Sequence, residues 1–313
     1  FHMTPDTILK LKENLPQPKS EIDGGGNYTG ALRDDPLKQY LVLAIPGVIN
    51  GLGSGYGDYS ASIKGVGTNK TVTAHGNAGV IATASHYGSA LNFDGSGDYL
   101  QIPHSEDFNM GTGDFTLECW VYSIDDSDYQ GIFGSYNYDN SQVVMQLANN
   151  GVLRFVNPTA ISPTGTSDLQ TGQWNHIVME RYNGRLYGYA NGVAEINIAY
   201  TNSIDWGWNG NDVTIGVVDR TDYPGQYEYK GQIQDLRLYK GIAKYKGGFD
   251  VPKPYTPVGI ESWRQVPDNC KNNFCTLNPF DTNQLPTTNG NVSIDQSSGG
   301  WHSLLGTHYA RSG

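Results

Sequence analysis

Through the middle of this chain apolar and polar residues alternate with a period of two, in short runs punctuated by glycine and asparagine. The clearest case is Gln173-Trp-Asn-His-Ile-Val-Met-Glu-Arg-Tyr-Asn-Gly-Arg-Leu-Tyr-Gly-Tyr-Ala-Asn-Gly192. Two segments of strand-like composition are separated by Asn183-Gly184 and closed by Asn191-Gly192. Asn-Gly is the dipeptide that accepts the two positive φ angles of a type I′ hairpin turn, so the pattern predicts a meander. Side chains on a strand alternate between faces, which puts Trp174, His176, Val178 and Glu180 on one side and Asn175, Ile177, Met179 and Arg181 on the other. Neither face is cleanly apolar, as suits a curved sheet in a two-layer sandwich.

The same reading predicts strands at 40–45, 90–94, 98–102, 115–122, 131–136, 142–147, 152–156, 195–199, 213–218 and 230–239. About a dozen short strands joined by turns make a sandwich or barrel the economical solution. Residues 1–36 read differently. Pro5 opens a short amphipathic helix with Ile8, Leu11 and Leu15 on one face, Pro16 stops it, and Pro18 and Gly24-Gly25-Gly26 lead into a flexible connector. One apolar stripe cannot fold alone, so this arm is expected to dock on its own domain or on a neighbouring subunit.

Composition supports the all-β reading: 40 Gly and 21 Tyr among 313 residues, with 16 % charged, is the profile of a turn-rich β protein. The net charge of −11 argues against nucleic acid as a partner, because binding a phosphate backbone needs a basic surface. No run is long enough to insert in a membrane, and the first residues lack the basic-then-apolar pattern of a signal peptide. Three cysteines are too few for a disulfide framework. Cys119 reads as a small buried core residue, and Cys270 and Cys275 as either a pair or two free thiols.

A hydrolase on such a sheet needs carboxylates that converge on one bond. Glu118 shares a strand face with Trp120 and Tyr122, and Glu180 shares one with His176, but neither has a second carboxylate two residues away. His176 and Glu180 lie about 13 Å apart on an extended strand and cannot share one metal ion. No GxSxG, HExxH or phosphate loop is present, so no catalytic residue is assigned.

Five ordered stretches carry a family resemblance: Leu91-Asn-Phe-Asp-Gly-Ser-Gly-Asp-Tyr-Leu100, Asp114-Phe-Thr-Leu-Glu-Cys-Trp-Val121, Trp174-Asn-His-Ile-Val178, Tyr189-Ala-Asn-Gly192 and Gly231-Gln-Ile-Gln-Asp-Leu-Arg-Leu-Tyr239. Together they resemble laminin-G-like, concanavalin A-like jelly-roll domains. The resemblance implies an all-β sandwich over 37–257, preceded by the arm at 1–36. Asp58-Tyr-Ser-Ala-Ser62 and Lys64-Gly-Val-Gly-Thr-Asn-Lys70 look like versions found in structural proteins of marine bacteriophages, particularly cyanophages. The tail around Trp263-Arg-Gln-Val-Pro267 is similar to the opening of a SPRY-like sandwich, so 258–313 is expected to be a partial β domain or extension that continues further or is completed by another chain.

This resemblance implies a non-enzymatic virion surface protein, such as a tail fibre, head fibre or capsid decoration. Its implied partners are other virion proteins, further copies of itself in a homo-oligomer such as a trimer, and a host-surface glycan. The alternatives on the same fold are a secreted carbohydrate-active enzyme and a cellular adhesin module. Members of the family often bind calcium, a hard cation that takes carboxylate and carbonyl oxygens. Asp94, Asp98 and Asp235 are the candidate ligands, with the acidic run at 125–128 a weaker one. The bland alternative is that Asp94 and Asp98 satisfy turn amides. For a sugar, aromatic faces flanked by amides point to Trp206, Trp208, Asn209 and Asn211, to Tyr136, Tyr138 and Asn140, and to the tyrosines of 223–229. The competing reading of each cluster is a protein contact or a packed loop.

Overall fold

The computed structural model describes residues 35–48, 55–135, 142–157, 161–218, 227–251 and 255, and in a separate unit 287–288 and 291–292. The elements are β1 (Leu41–Ile45), a short helix α1 (Ser60–Lys64), β2 (Thr73–His75), β3 (Gly79–Ala82), β4 (Ser89–Asp94), β5 (Tyr99–Ile102), β6 (Asn109–Gly111), β7 (Phe115–Ser123), β8 (Gln130–Ser135), β9 (Val144–Leu147), β10 (Val152–Val156), β11 (Thr164–Asp168), β12 (Trp174–Tyr182), β13 (Arg185–Ala190), β14 (Val193–Ala199), β15 (Ile204–Asp205), β16 (Val213–Ile215), β17 (Lys230–Lys240), β18 (Thr287–Thr288) and β19 (Asn291–Val292).

Two antiparallel sheets carry the architecture. One has eight strands in the order β14-β13-β12-β7-β17-β4-β3, with β1 also on β17; the other has seven, β11-β10-β9-β8-β16-β5-β2. Their inner faces meet in one core, where Phe115, Leu117 and Cys119 of β7 and Ile177 and Met179 of β12 pack toward Phe133, Met145 and Phe155 of the other sheet. Cys119 is a free, buried thiol, as its place on a core strand predicts. The two Asn-Gly turns form as read: Asn183 and Asn191 have φ of 49° and 48°, and Gly184 and Gly192 follow at 71° and 81°. In the 261–313 unit β18 pairs antiparallel with β19. The N-terminal helix, Cys270 and Cys275 lie outside the described residues.

The mixed faces of β12 have a cause that the sequence pattern did not show. Thr116, Glu118 and Trp120 of β7 and His176, Val178 and Glu180 of β12 lie on the face away from the core, and all six are buried. Residues 241–251 cross that face as a strap. The strap passes so close to the Asn191-Gly192 turn that a Cβ on Gly192 would run into the carbonyl of Phe249, whose amide donates to the Gly192 carbonyl at 2.9 Å. Glycine is therefore needed there twice over, for its φ of 81° and for this approach.

A bulge in β17 shapes the same face. Gln234 pairs with Trp120 and Arg237 with Glu118, so two β17 residues, Asp235 and Leu236, oppose one on β7. Asp235 takes the extra turn with φ of 49°. Its carboxylate accepts from Arg237 Nε at 2.7 Å and from the Tyr87 hydroxyl at 3.0 Å, and Arg237 also donates to Asp35 at 2.8 Å.

Gly192→Ala should destabilise the fold by about 1 kcal/mol or more, because the left-handed φ and the Phe249 carbonyl both oppose a methyl group. A drop of several degrees in the thermal midpoint is the expected result; an unchanged midpoint would show that the strap does not pass here.

Candidate functional site

Among the described residues, three places hold the chemistry-bearing side chains considered above. The first is the loop of Trp206, Trp208, Asn209 and Asn211. Trp206 is not the contact residue that its neighbourhood implied: it is fully buried, its indole Nε1 donates to the Val143 carbonyl at 2.9 Å, and Phe115 and Phe133 meet its ring edge-on. A large aromatic with one polar handle is well suited to such an anchor. Trp208, two residues on, is 50 % exposed. Its turn is held by Asp205, which caps the Gly207 amide at 2.9 Å, and by Asn209 at φ of 61°. Tyr136, Tyr138 and Asn140 lie outside the described residues.

The second place is a cleft of about 510 Å³ at one end of the sandwich, between the β4–β5 turn, the β7–β8 loop and the approach to β17. Asp94, Asp125, Asp128, Tyr129, Tyr227, Glu228 and Lys230 line it, so candidates that lie far apart in sequence meet here: Asp94, the acidic 125–128 run and one tyrosine of 223–229. Asp94 accepts from the Ser96 amide, Asp128 from the Tyr129 amide and Glu228 from the Gly97 amide, at 2.8, 2.7 and 2.9 Å. In each the second carboxylate oxygen has no hydrogen-bond partner among the described residues. The Ser127 hydroxyl and amide, and then Lys230, hold the Asp125 carboxyl below its usual range. Tyr129 and Tyr227 stand edge to face with ring centres 5.9 Å apart, and Tyr227 has a φ of 61°. A bulky residue in that region stores backbone strain, of a kind that clusters at functional sites.

The calcium candidates separate. Asp98 is fully buried and accepts from the Asn77 amide at 2.5 Å and the Asp94 amide at 2.8 Å, which is the turn-capping role. Asp235 is engaged by Arg237 and Tyr87, away from that turn. Among the described residues no group of three or more His, Cys, Asp or Glu is arranged to hold a metal ion.

The third place is the layer beneath the strap. Glu118 and Glu180 each seemed to lack a second carboxylate, but the β7–β12 register pairs Glu118 with Val178 and Glu180 with Thr116, which makes the two acids diagonal neighbours on one face. A search along single strands misses a pair formed across two. Both are spent on the strap. Glu118 accepts from Lys244 Nζ and the Tyr245 hydroxyl and lies 3.5 Å from His176 Nε2. Glu180 accepts from the Tyr245 and Lys246 amides at 2.8 Å each and from Thr116 Oγ1 at 3.0 Å. Burial pushes the Glu118 carboxyl up, but Lys244 and His176 outweigh it and hold it well below the usual carboxylate range. Burial likewise lowers the His176 imidazole, against the pull of Glu118. With Glu118 2 % and Glu180 0 % exposed, both carboxylates are covered by the strap.

A sequence model of the concanavalin A-like lectin/glucanases superfamily matches residues 94–243. The fold is a concanavalin A-like jelly roll. The binding domain of Paraclostridial Mosquitocidal Protein 1 superposes with a TM-score of 0.51 at 14 % identity, over 67 % of this chain and 51 % of that one, so the chain spans about half of that domain's length. Domain 4 of AbnA, a GH43 extracellular arabinanase from Geobacillus stearothermophilus solved with arabinotriose, gives 0.46 at 18 % identity, over 65 % and 94 % of the two chains. The binding domain of botulinum neurotoxin serotype D/C gives 0.49 at 15 %, over 66 % and 50 %. No curated protein matches the sequence.

The sealed layer predicts a pH signature. The folded His176 pKa lies below the ordinary value of about 6.5, so the unfolded chain takes up the proton first. Its contribution to stability is full above about pH 6.5 and declines as the pH falls toward the folded pKa. Thermal midpoints measured against pH should fall below about 6.5, and His176→Gln should flatten that slope. A parallel profile for the variant would contradict the assignment. Asp98→Ala should cost about 1–3 kcal/mol equally in calcium and in chelator, since it uncaps two part-buried amides; a loss confined to calcium-loaded protein would put an ion on the turn.

Proposed function

We propose that this chain is a non-enzymatic, lectin-like contact protein that holds a neutral or amino sugar in the cleft of Asp94, Asp128, Tyr129, Tyr227 and Glu228. The observation that carries the reading is that cleft. It offers tyrosine rings, a lysine and carboxylate oxygens that their own turns leave unused, which are the groups that stack on a sugar's C–H face and order its hydroxyls. Four carboxylates against one lysine make it hostile to sialylated or sulfated glycans and receptive to uncharged or amino-bearing ones. The buried state of Glu118 and Glu180 supports binding without hydrolysis.

We further propose a virion surface as its setting, in a tail fibre, head fibre or capsid decoration where the glycan belongs to the host; the resemblance of 58–70 and of the tail to phage structural proteins supports this reading. Trp208 supports a second contact at the other end of the sandwich. It is half exposed on a turn fixed by a buried neighbour, so little conformational entropy is lost when it packs against a sugar or a protein.

A glycan array followed by titration of the full chain tests this. Neutral or amino glycans should bind in the range of about 10 µM to 1 mM and stay intact. Tyr227→Gly, which relieves the backbone strain, should weaken binding about tenfold or more with little change in thermal midpoint. Trp208→Ala should leave cleft binding in place. Preference for anionic glycans, cleavage of the ligand, or full affinity in Tyr227→Gly would overturn the reading.

A further inference from the structure

The outer face of the larger sheet is covered only in part. Trp120, Gln234 and Ala90 are buried there, with Ser85 of the β3–β4 loop accepting from Gln234 Nε2 at 2.9 Å and the His86 ring lying against Trp120. Two residues nearer the cleft, a single register row crosses five strands: Trp174 pairs with Tyr122, Tyr122 with Gln232, Gln232 with Asn92 and Asn92 with Gly79. Four strand spacings make this row about 19 Å long. Trp174 is itself buried and props the Tyr122 ring at 5.5 Å between centres, whereas Tyr122, Gln232, Asn92 and Gly79 are half-buried. The row contains no charged residue.

The polar groups of the row order one another without being used up. Gln232 Nε2 donates to Asn92 Oδ1 at 3.2 Å. Gln232 Oε1, an acceptor, Asn92 Nδ2, a donor, and the Tyr122 hydroxyl have no hydrogen-bond partner among the described residues. Gly79 ends the row without a side chain, and among the described residues a Cβ there would meet only the Asn77 carbonyl, at 3.8 Å. The next row along the same face belongs to the cleft: Asp94 pairs with Lys230, and the Ile124 amide donates to the Lys230 carbonyl at 3.1 Å, leaving the Ile124 side chain 52 % exposed. Residues two apart on a strand point the same way, so row and cleft share one floor.

We infer that this row is a further sugar subsite, which takes the neutral units of an oligosaccharide whose end unit sits in the cleft. The inference rests on the sugar reading of the cleft and extends it from one unit to a chain. A free acceptor and a free donor side by side, next to a propped tyrosine ring, match the alternating donor and acceptor character of adjacent sugar hydroxyls and the C–H face between them. Charge separates the two subsites. The carboxylates of the cleft favour an uncharged or amino-bearing unit, and the uncharged row takes neutral units. A protein partner fits this floor less well, because a stable interface takes about 800 Å² per side around an apolar centre, and this row is narrow and polar.

Calorimetric titration of the full chain tests this, using a neutral or amino monosaccharide selected by the array and the tri- or tetrasaccharide of the same sugar. The longer sugar should bind about tenfold or more tighter than the single unit. Asn92→Ala combined with Gln232→Ala should bring the two affinities together while leaving that of the monosaccharide unchanged. Asn92→Asp keeps the side-chain shape, turns the free donor into an acceptor and should lower the ratio as well. Both positions are part exposed, so the thermal midpoint of each variant should stay close to that of the native chain. Equal affinity for the two lengths, a preference that survives both variants, or an equal loss for monosaccharide and oligosaccharide would overturn the subsite. Tyr227→Gly reads the cleft separately, through the monosaccharide alone. Binding of neither length would overturn both readings.

Discussion

The pairing of β7 with β12 is the constraint from which the rest follows. The register runs unbroken from Trp174 opposite Tyr122 to Arg181 opposite Phe115. It fills the inner face with Phe115, Leu117, Cys119, Ile177 and Met179 and leaves Glu118, His176 and Glu180 together on the outer one. Taking such groups out of water costs several kcal/mol each unless they are paired and hydrogen-bonded. The strap meets that requirement with the Lys244 ammonium, the Tyr245 hydroxyl and two backbone amides, and the strap in turn requires a glycine at 192. One strand pairing thus sets the core, the cover and the turn that the cover crosses.

Among the described residues the sandwich has a covered outer face at its centre and a cleft at one end. Its Glu118 and Glu180 carboxylates lie beneath the strap, while Asp94, Asp128 and Glu228 line a cleft at one end, beside two tyrosines. Backbone strain appears there too, at Tyr227, whereas the only non-glycine positive φ in the long central strands is at the Asp235 bulge. Rigid layers holding adaptable loops are the usual division between scaffold and contact surface in two-sheet folds.

Period-two alternation and the Asn-Gly pairs sufficed to place β5, β7, β9, β10, β12, β13 and β17 within a few residues, because both signals are local. The strands that went unread, β2, β3, β6, β11 and β15, are short or polar, with no period-two apolar pattern to mark them. The site was legible in fragments. Asp94, the 125–128 run and the tyrosines of 223–229 each stood out by composition, but their meeting depends on which turns the sheet order brings to one end. Trp206 and Trp208 show the same limit at two-residue range: identical side chains on one loop, one in the core and one in solvent. The Glu118–Glu180 pair stayed hidden because it forms across strands 62 residues apart in sequence, 180 minus 118.

The most direct measurement is an amide chemical-shift map of the isotope-labelled chain titrated with an uncharged or amino-bearing oligosaccharide. The account predicts that the shifted signals belong to the turns carrying Asp94, Gly95, Ser127, Tyr129, Tyr227 and Lys230, with the sugar's own resonances unchanged over time. Shifts centred on Lys244, Tyr245 and Lys246, or new reducing-end signals from a cleaved sugar, would mean that the strap opens onto a working acid pair and would contradict it.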